Sequence, residues 1–327
     1  MTKAIVLLSG GLDSRLVVKM LQEQNIEIIA LHFNIPFFGS YKLEEISKFA
    51  DINNIKLNII DFAKGKEFKD YIKLLKKPKH GRGTAMNPCI DCHLFMLKKA
   101  KQIMLKEKAD FIATGEVLNE RPMSQHLKAL MLIEKEAGLK GKLLRPLSAK
   151  LLPKTIAEEK GLVNRDKLLD INGRKREIQI ELAKKYNIDY PSPGGGCLLC
   201  EKEFSAKLQD LFEHQKKIIP RDIELLKIGR HFRFNDTKII VGRNKDENEK
   251  IMNLAGRDII METKETPSPI TIIIGKADKE TIKTAASLTI RYSNINEGAV
   301  IYGKCKFDKE IKGKAIEEKE IEKLRIN

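Results

Sequence analysis

The chain opens on an apolar run at residues 4–8, followed by Leu16, Val17, Met20 and Leu21 spaced for one face of a helix. A second apolar run covers 26–33, and a second helical pattern covers 43–50. Runs at 55–61 and 111–114 continue the alternation, with a helix over 94–106 between them. Short strands without a polar face, interleaved with amphipathic helices, predict an α/β domain built on a parallel sheet covered on both sides. Ligands of such sheets collect at the carboxyl ends of the strands. After Arg145-Pro146-Leu147 the pattern predicts helices over 155–159 and 173–185, and Pro191-Ser192-Pro193-Gly194-Gly195-Gly196 then interrupts it. Beyond a helix at 204–215, short strands are expected at 224–228, 231–234, 238–241, 270–274 and 299–302. The organisation read from the pattern is a domain at 1–205, a connecting helix and linker at 206–220, and a smaller α+β domain at 221–327.

The first strand runs directly into Ser9-Gly10-Gly11-Leu12-Asp13-Ser14 and then a helix. Glycines let the backbone approach an anion, and free N–H groups at the helix start, with the Ser9 and Ser14 hydroxyls, can cradle phosphate. Asp13 beside a phosphate makes chemical sense only with Mg²⁺ between them. No lysine-serine pair closes the loop, which separates it from Walker-type kinases and GTPases.

Charge and cysteine content add a second layer. The 327 residues carry 61 Lys plus Arg against 45 Asp plus Glu, a net of +16, and 42% are hydrophobic, enough for conventional cores. Residues 1–200 hold 35 basic and 23 acidic side chains, so the excess sits in the larger part. Its densest stretch is Lys64, Lys66, Lys69, Lys73, Lys76, Lys77, Lys79 and Arg82, opposed by Glu67 and Asp70; it reads as a solvated helix face or as a surface for a polyanion. With no Trp and 6% aromatics, nucleic-acid contact would rest on phosphates more than on stacked bases. No apolar stretch approaches the ~20 residues of a membrane span, and no signal peptide is visible, so the expectation is a cytoplasmic protein without a membrane partner.

Five cysteines are too few for a disulfide scaffold. Four form two C-x-x-C pairs, Cys89/Cys92 in Asn87-Pro88-Cys89-Ile90-Asp91-Cys92 and Cys197/Cys200 after the glycine run. Such pairs can close a tetrathiolate Zn²⁺ site that staples two loops. Alternatively, thiols beside a basic surface are expected to have depressed pKa values, and can carry a persulfide or ligate an iron–sulfur cluster. Cys305, alone near the C-terminus, is expected to be a packed small hydrophobe.

The Ser9–Ser14 string resembles the pyrophosphatase loop of the PP-loop ATPases, of the adenine nucleotide α-hydrolase-like fold, which split ATP between its α and β phosphates and adenylate a substrate. The resemblance implies an ATP site of Ser9, Gly10, Gly11, Asp13, Ser14, Phe33 and Gly115, with adenine near His32 and Phe33 and Gln125 lining the cleft. Asn-Pro-Cys-x-x-Cys before a helix, with a glycine-cysteine step about a hundred residues on, resembles the tRNA 2-thiouridine synthetases. Thr114-Gly115-Glu116 through Ser124-Gln125, then Arg145-Pro146-Leu147, is more similar to the tRNA 4-thiouridine synthetase branch. By that resemblance Asp13, Cys92 and Cys197 are the catalytic candidates. Cys89 adds a likeness to the cluster-dependent thiolases, which implies a [4Fe–4S] cluster on Cys89, Cys92 and Cys197. Cys200 departs from their three-cysteine pattern and keeps Zn²⁺ as the alternative metal on all four. Gly229-Arg230-His231-Phe232-Arg233-Phe234 and Val241-Gly242-Arg243-Asn244, with Asn248, resemble the RNA-binding domain of NFACT-type ribosome quality-control factors.

The function these features imply is ATP-dependent tRNA thiolation, with tRNA and a sulfur donor (a cysteine desulfurase or inorganic sulfide) as partners. RNA contacts are expected from Lys73, Lys76, Lys77, Lys79, Arg82, Arg230, Arg233 and Arg243. Two other readings stand beside it: another adenylating PP-loop enzyme, an amidotransferase or synthase with a structural zinc, and an RNA-binding factor whose nucleotide site no longer turns over.

Overall fold

The computed structural model describes residues 1–38, 43–191 and 196–327; positions 192–195 of the expected Pro/Gly break lie outside them. The chain divides into two units, Met1–Cys200 and Glu201–Asn327. Among the described residues, the first unit holds strands β1 (Lys3–Leu7), β2 (Glu27–Asn34), β3 (Lys56–Asp61), β4 (Phe111–Ala113) and β5 (Leu143–Leu144). Its helices are α1 (Leu12–Gln22), α2 (Leu43–Ile52), α3 (Gly65–Lys76), α4 (Cys89–Lys106), α5 (Leu127–Glu136), α6 (Ile156–Glu159) and α7 (Glu177–Lys185). The strands pair in parallel in the order β3-β2-β1-β4-β5, with Leu7 opposite Leu31 and Val6 opposite Ala113. This is the α/β domain that the apolar runs predict.

The centre of β1 is fully buried, and Leu16, Val17 and Leu21 of α1 pack on the same core as Phe111 and Leu144. Strand order reverses at β1, since β2 lies on one side of it and β4 on the other. The crevice at such a switch point opens beyond the carboxyl ends of the two central strands. Residues 8–11 and 114–116 leave the sheet there.

The second unit contains α8 (Lys202–His214), α9 (Pro220–Leu226), α10 (Lys245–Leu254), α11 (Lys279–Arg291) and α12 (Glu318–Leu324). Its strands are β6 (Arg230–Phe234), β7 (Thr237–Val241), β8 (Ile259–Thr263), β9 (Thr271–Ile274), β10 (Glu297–Lys304) and β11 (Lys309–Lys314), an antiparallel sheet ordered β11-β10-β8-β9-β7-β6. Helix α11 contributes Ala285, Ala286, Leu288 and Ile290 to the core beside Phe232 and Val300. Among the described residues no helix is long and apolar enough to cross a membrane.

Three expectations for this half are corrected. The strand expected at 224–228 falls largely on α9, where Pro220 opens the helix and the Asp222 carboxylate accepts the Ile219 N–H at 2.9 Å and the Gln215 amide at 2.7 Å. Cys305 is exposed rather than packed, in the left-handed region at φ 65 between β10 and β11. The helix read as a connector belongs to the second unit. Asp210 of α8 accepts Arg233 through both oxygens, at 2.9 and 2.6 Å, and the Lys238 ammonium at 3.0 Å. Lys238 is 4% exposed, and burial pulls its pKa down to about 8 against the attraction of Asp210.

Asp210→Ala should therefore destabilise the second unit by about 3–5 kcal/mol, because it strands a buried ammonium as well as removing a pair. Urea unfolding of the full chain measures it, and a loss below about 1 kcal/mol would show the network to be dispensable.

Candidate active site

The loop between β1 and α1 is built to leave backbone donors open. Gly10 takes φ 91, and Gly11 precedes the first turn of α1 without any side-chain cap, so no capping side chain takes up the first N–H groups of the helix. The Ser14 hydroxyl donates to the Gly11 carbonyl at 2.9 Å, and the Ser9 and Ser14 hydroxyls stand 3.2 Å apart. Arg15, which the sequence does not single out, fixes this curve: its Nε donates to the Gly10 carbonyl at 2.9 Å and its guanidinium lies 5.0 Å over the Phe49 ring. Gly115 closes the other wall. A Cβ there would stand 2.8 Å from the Asp13 carbonyl carbon and the Ser14 nitrogen, so only glycine lets the segment after β4 lie against the loop.

Asp13 sits in the first turn of α1. Burial pushes its carboxyl pKa up, opposed by Arg176, a hydrogen bond from Gln179 and the more distant Arg121. Its Oδ1 is buried without a hydrogen-bond partner. A desolvated carboxylate oxygen without a donor suits a hard cation such as Mg²⁺. Glu120 lies close enough to feel Asp13, and burial with that repulsion raises its carboxyl too. Phe33 of the expected ATP set turns its ring into the core, 5.2 Å from that of Phe62, which leaves only its backbone for adenine.

Thr114-Gly115-Glu116 and Arg145 form one buried assembly. Glu116 accepts Arg145 Nε at 3.0 Å, Thr114 Oγ1 at 2.9 Å and pairs with His93 Nδ1 at 2.9 Å, while Arg145 also reaches Glu134 at 3.0 Å. Burial alone would raise the Glu116 pKa, but Arg145, His93 and Thr114 outweigh it and bring it down to about 2. His93, one residue past Cys92, is thus tied to the segment that leaves β4. His126 caps α5 by accepting the Ala129 N–H, and Gln125 is buried with its Oε1 unpartnered.

The thiols converge from two segments. Cys89 and Cys92 lie one turn apart at the start of α4, on one side of that helix. Cys197 and Cys200 bracket a 3₁₀ turn, Leu198–Cys200, held by a 2.8 Å bond from the Leu198 N–H to the Phe37 carbonyl. Cys92 is buried, 3.2 Å from the hydroxyl of Tyr71, whose ring packs among Phe37, Phe62 and Phe95. This aromatic bed was not foreseen. None of the four cysteines is in a disulfide.

The expectation of depressed thiol pKa values is overturned. Burial drives Cys92 far upward, with Cys197 and Cys89 adding to it against the Tyr71 hydrogen bond. Burial also raises Cys89, with Cys200 adding, while Asn87 and Arg121 oppose. A negative charge on one sulfur thus disfavours ionisation of Cys89 and Cys92, which places the four cysteines in one electrostatic neighbourhood. Among the described residues no three His, Cys, Asp or Glu side chains are gathered at metal-ligating distances. The donor set nevertheless fits a thiophilic metal: soft sulfur ligands that need an added positive charge to ionise.

The basic run is the solvent side of α3, whose Phe68, Tyr71, Ile72 and Leu75 face inward at helical spacing. Lys73 and Lys77 are exposed. Arg82 instead caps the end of α3 through the Leu75 and Lys76 carbonyls, and Lys79 pairs with Glu136 at 2.7 Å. In the second unit, Arg230 lies 4.4 Å over the Tyr292 ring, Arg233 is committed to Asp210, and Arg243 forms a two-pronged pair with Glu247. Glu247 also accepts the Gly229 and Arg243 N–H groups, and Asn248 accepts the Ile270 N–H, so much of that motif is structural.

A parallel sheet with this glycine-serine loop at its switch point is the arrangement of a PP-loop-like α/β domain, here followed by an α+β unit. Comparison with known proteins makes both halves specific. Residues 1–154 match the family described as thiamine biosynthesis protein (ThiI), and residues 229–326 match the NFACT protein RNA binding domain. The tRNA-specific 2-thiouridylase MnmA of Petrotoga mobilis is 31% identical over 134 residues, 36% of this chain and 35% of its own length. A probable tRNA sulfurtransferase of Methanothermobacter thermautotrophicus is 28% identical over 123 residues, 36% of this chain and 30% of its own. The chain thus spans about a third of these relatives. Among solved structures, the U34-tRNA thiolase NcsA from Methanococcus maripaludis with its [4Fe-4S] cluster aligns at a TM-score of 0.35 and 20% identity, over 69% of each chain.

The Glu116 network carries an acid sensitivity. Its carboxyl titrates at about 2 in the fold and at an ordinary 4.5 when free. The stabilisation is complete above 4.5 and is lost as the pH falls towards 2, roughly 3 kcal/mol in all. Urea unfolding between pH 6 and 3 should show this slope, and Glu116→Gln should be less stable at pH 7 yet lack that share of it. An identical slope in the variant would place the sensitivity elsewhere.

Proposed function

We propose that the chain is an ATP-dependent tRNA sulfurtransferase. The observation that carries the reading is geometric: Gly115 lies against the Asp13 and Ser14 backbone of the phosphate loop, and the next residue, Glu116, pairs at 2.9 Å with His93, one residue past Cys92 of the thiol group. One cleft can then present an activated carbon to sulfur. The family matches of both domains support the same reading.

In this reading a uridine carbonyl oxygen attacks the α-phosphorus of ATP and pyrophosphate leaves. A sulfur nucleophile then attacks the carbon, and AMP departs with the original oxygen. Adenylation is needed because a carbonyl oxygen alone is a poor leaving group. Ser9, Gly10, Gly11 and Ser14 cradle the phosphates with the open N–H groups of α1, and the orphaned Asp13 Oδ1 would take Mg²⁺. Cys89, Cys92 and Cys197, with Cys200 as a fourth ligand or a persulfide carrier, would hold a [4Fe–4S] cluster, which when bound supplies the sulfur nucleophile. Tyr71 donates to or accepts from Cys92, and the aromatic bed keeps water from that thiol. Sulfur arrives from a cysteine desulfurase or inorganic sulfide, and tRNA is held by the NFACT-type domain together with Lys73 and Lys77. Such an enzyme works in the cytoplasm.

Incubated with RNA and Mg²⁺, the protein should convert ATP to AMP and pyrophosphate, and Asp13→Ala should abolish this. Product analysis by chromatography decides it; ADP and orthophosphate as sole products would remove the assignment. Lys73→Glu with Lys77→Glu should weaken tRNA binding, and each lost phosphate contact should flatten the log–log salt dependence by about 0.7–0.9. An unchanged slope would move the RNA path away from α3.

A further inference from the structure

Tyr71 is a polar residue in an apolar place. It is 1% exposed, and its ring centroid lies 5.4 Å from that of Phe62, 5.8 Å from that of Phe95 and 6.1 Å from that of Phe37. A phenylalanine would fill the same space. The hydroxyl therefore adds a desolvation cost that packing does not require. Among the described residues its one hydrogen-bond partner is Cys92 Sγ, at 3.2 Å, so only that sulfur offsets the cost.

The ring is held by neighbours that belong to both thiol segments. Phe95 stands one turn beyond Cys92 on α4. The Phe37 carbonyl accepts the Leu198 N–H at 2.8 Å, and Leu198 opens the turn that ends at Cys200. Tyr71 itself comes from α3. Segments distant in sequence thus meet around one ring, and its hydroxyl lies against sulfur rather than solvent. The Cys92 backbone is fixed as well, since its N–H donates to the Pro88 carbonyl at 2.9 Å. As a thiol, Cys92 can either donate to this hydroxyl or accept from it. A thiolate bound to a metal has no proton, so the hydroxyl must then donate, and a hydrogen bond to a negatively charged sulfur is the stronger one.

We propose that Tyr71 is a positioning residue for the metal-ligating sulfur of Cys92: its hydroxyl donates to that sulfur once the thiol proton has passed to water on metal binding, and its tightly packed ring keeps the sulfur in one place. Cys92 is thereby the fixed ligand of the set, in contrast to the exposed Cys200. The inference rests on the metal reading above and adds to it a group outside the ligand set that governs how tightly the metal is held.

Cobalt(II) titration of the full, reduced chain under anaerobic conditions tests this, because sulfur-to-cobalt charge-transfer absorption reports bound thiolates. Tyr71→Phe, which removes the hydroxyl and keeps the ring, should weaken cobalt binding about tenfold or more, the scale of losing a hydrogen bond to a metal ligand. The charge-transfer band should also move to lower energy, since the sulfur no longer shares electron density with a donor. In Cys92→Ala, where cobalt is left to the other sulfurs, adding Tyr71→Phe should change the affinity by less than about twofold, as expected of a residue that acts through Cys92. An unchanged affinity and band in Tyr71→Phe overturn the role while leaving the metal reading in place. Equal losses in both backgrounds also overturn it, since a packing role, or a variant that fails to fold, produces that. If the original chain binds no cobalt, the metal reading falls and takes the inference with it.

Discussion

The contact on which the first unit depends is the approach of Gly115 to the backbone of Asp13 and Ser14. It brings the segment leaving β4 within a Cβ's width of the phosphate loop, and it can do so only because no Cβ is there. Three consequences follow from that one meeting. Glu116, the next residue, is drawn under the loop, where Arg145 and His93 compensate its charge. Through His93 the start of α4 is held to the same point, and with it Cys89 and Cys92. The Ser9–Ser14 loop and the start of α4 are thereby joined through Gly115, Glu116 and His93 where the strand order reverses.

Burial governs the chemistry of these groups, and its sign depends on what each finds as a partner. Glu116 is deeply buried yet strongly acidic, because an arginine, a histidine and a hydroxyl all face it. Asp13, Cys89 and Cys92 lie in surroundings where burial outweighs the positive charge nearby, so their neutral forms gain. A site that leaves a carboxylate and two thiols short of cation is complementary to cations brought from outside: a hard one at oxygen and a soft one at sulfur. That contrast within a single domain is a stronger argument for metal chemistry than the C-x-x-C spacing, which a structural staple satisfies equally well.

Much of this was legible in the sequence. The apolar runs at β1, β2 and β4 are nearly uninterrupted, the mark of strands buried on both faces, whereas β3 at the sheet edge is mixed and only partly buried; the Ser9–Ser14 string is local and is recognised without tertiary information. The partners that control Asp13 and Cys92 were not legible, because Arg176 lies 163 positions from Asp13 and Tyr71 lies 21 positions from Cys92. In the second unit the expected strand at 224–228 failed because Ile223, Leu225 and Leu226 suit a buried helix face as well as a strand, and capping by Pro220 and Asp222 decided between them. Strand β11 was missed since five of its six residues are lysine, glutamate or glycine, and only pairing with β10 makes it a strand.

The same distance problem explains why counting cations misjudges the RNA surface. Arg233 and Arg243 stand in the motif that resembles an RNA-binding domain, yet both are occupied by carboxylates, and Arg230 lies on a ring. An arginine held by two oxygens of a buried acid must abandon that pair to take a phosphate, so its net gain on binding RNA is small. Glycine and asparagine at Gly229 and Asn248 likewise serve turns and strand ends. The motif is therefore a signature of how this domain folds, and a surface for phosphate must be built from cations whose pairing is weak. Exposed lysines meet that condition: they lose little by leaving water-screened neighbours, and each released counterion favours binding at low salt. On α3 the inward side places Tyr71 against Cys92 while Lys73 stands on the solvent side of the same helix, so one element both borders the buried thiol and offers an exposed cation.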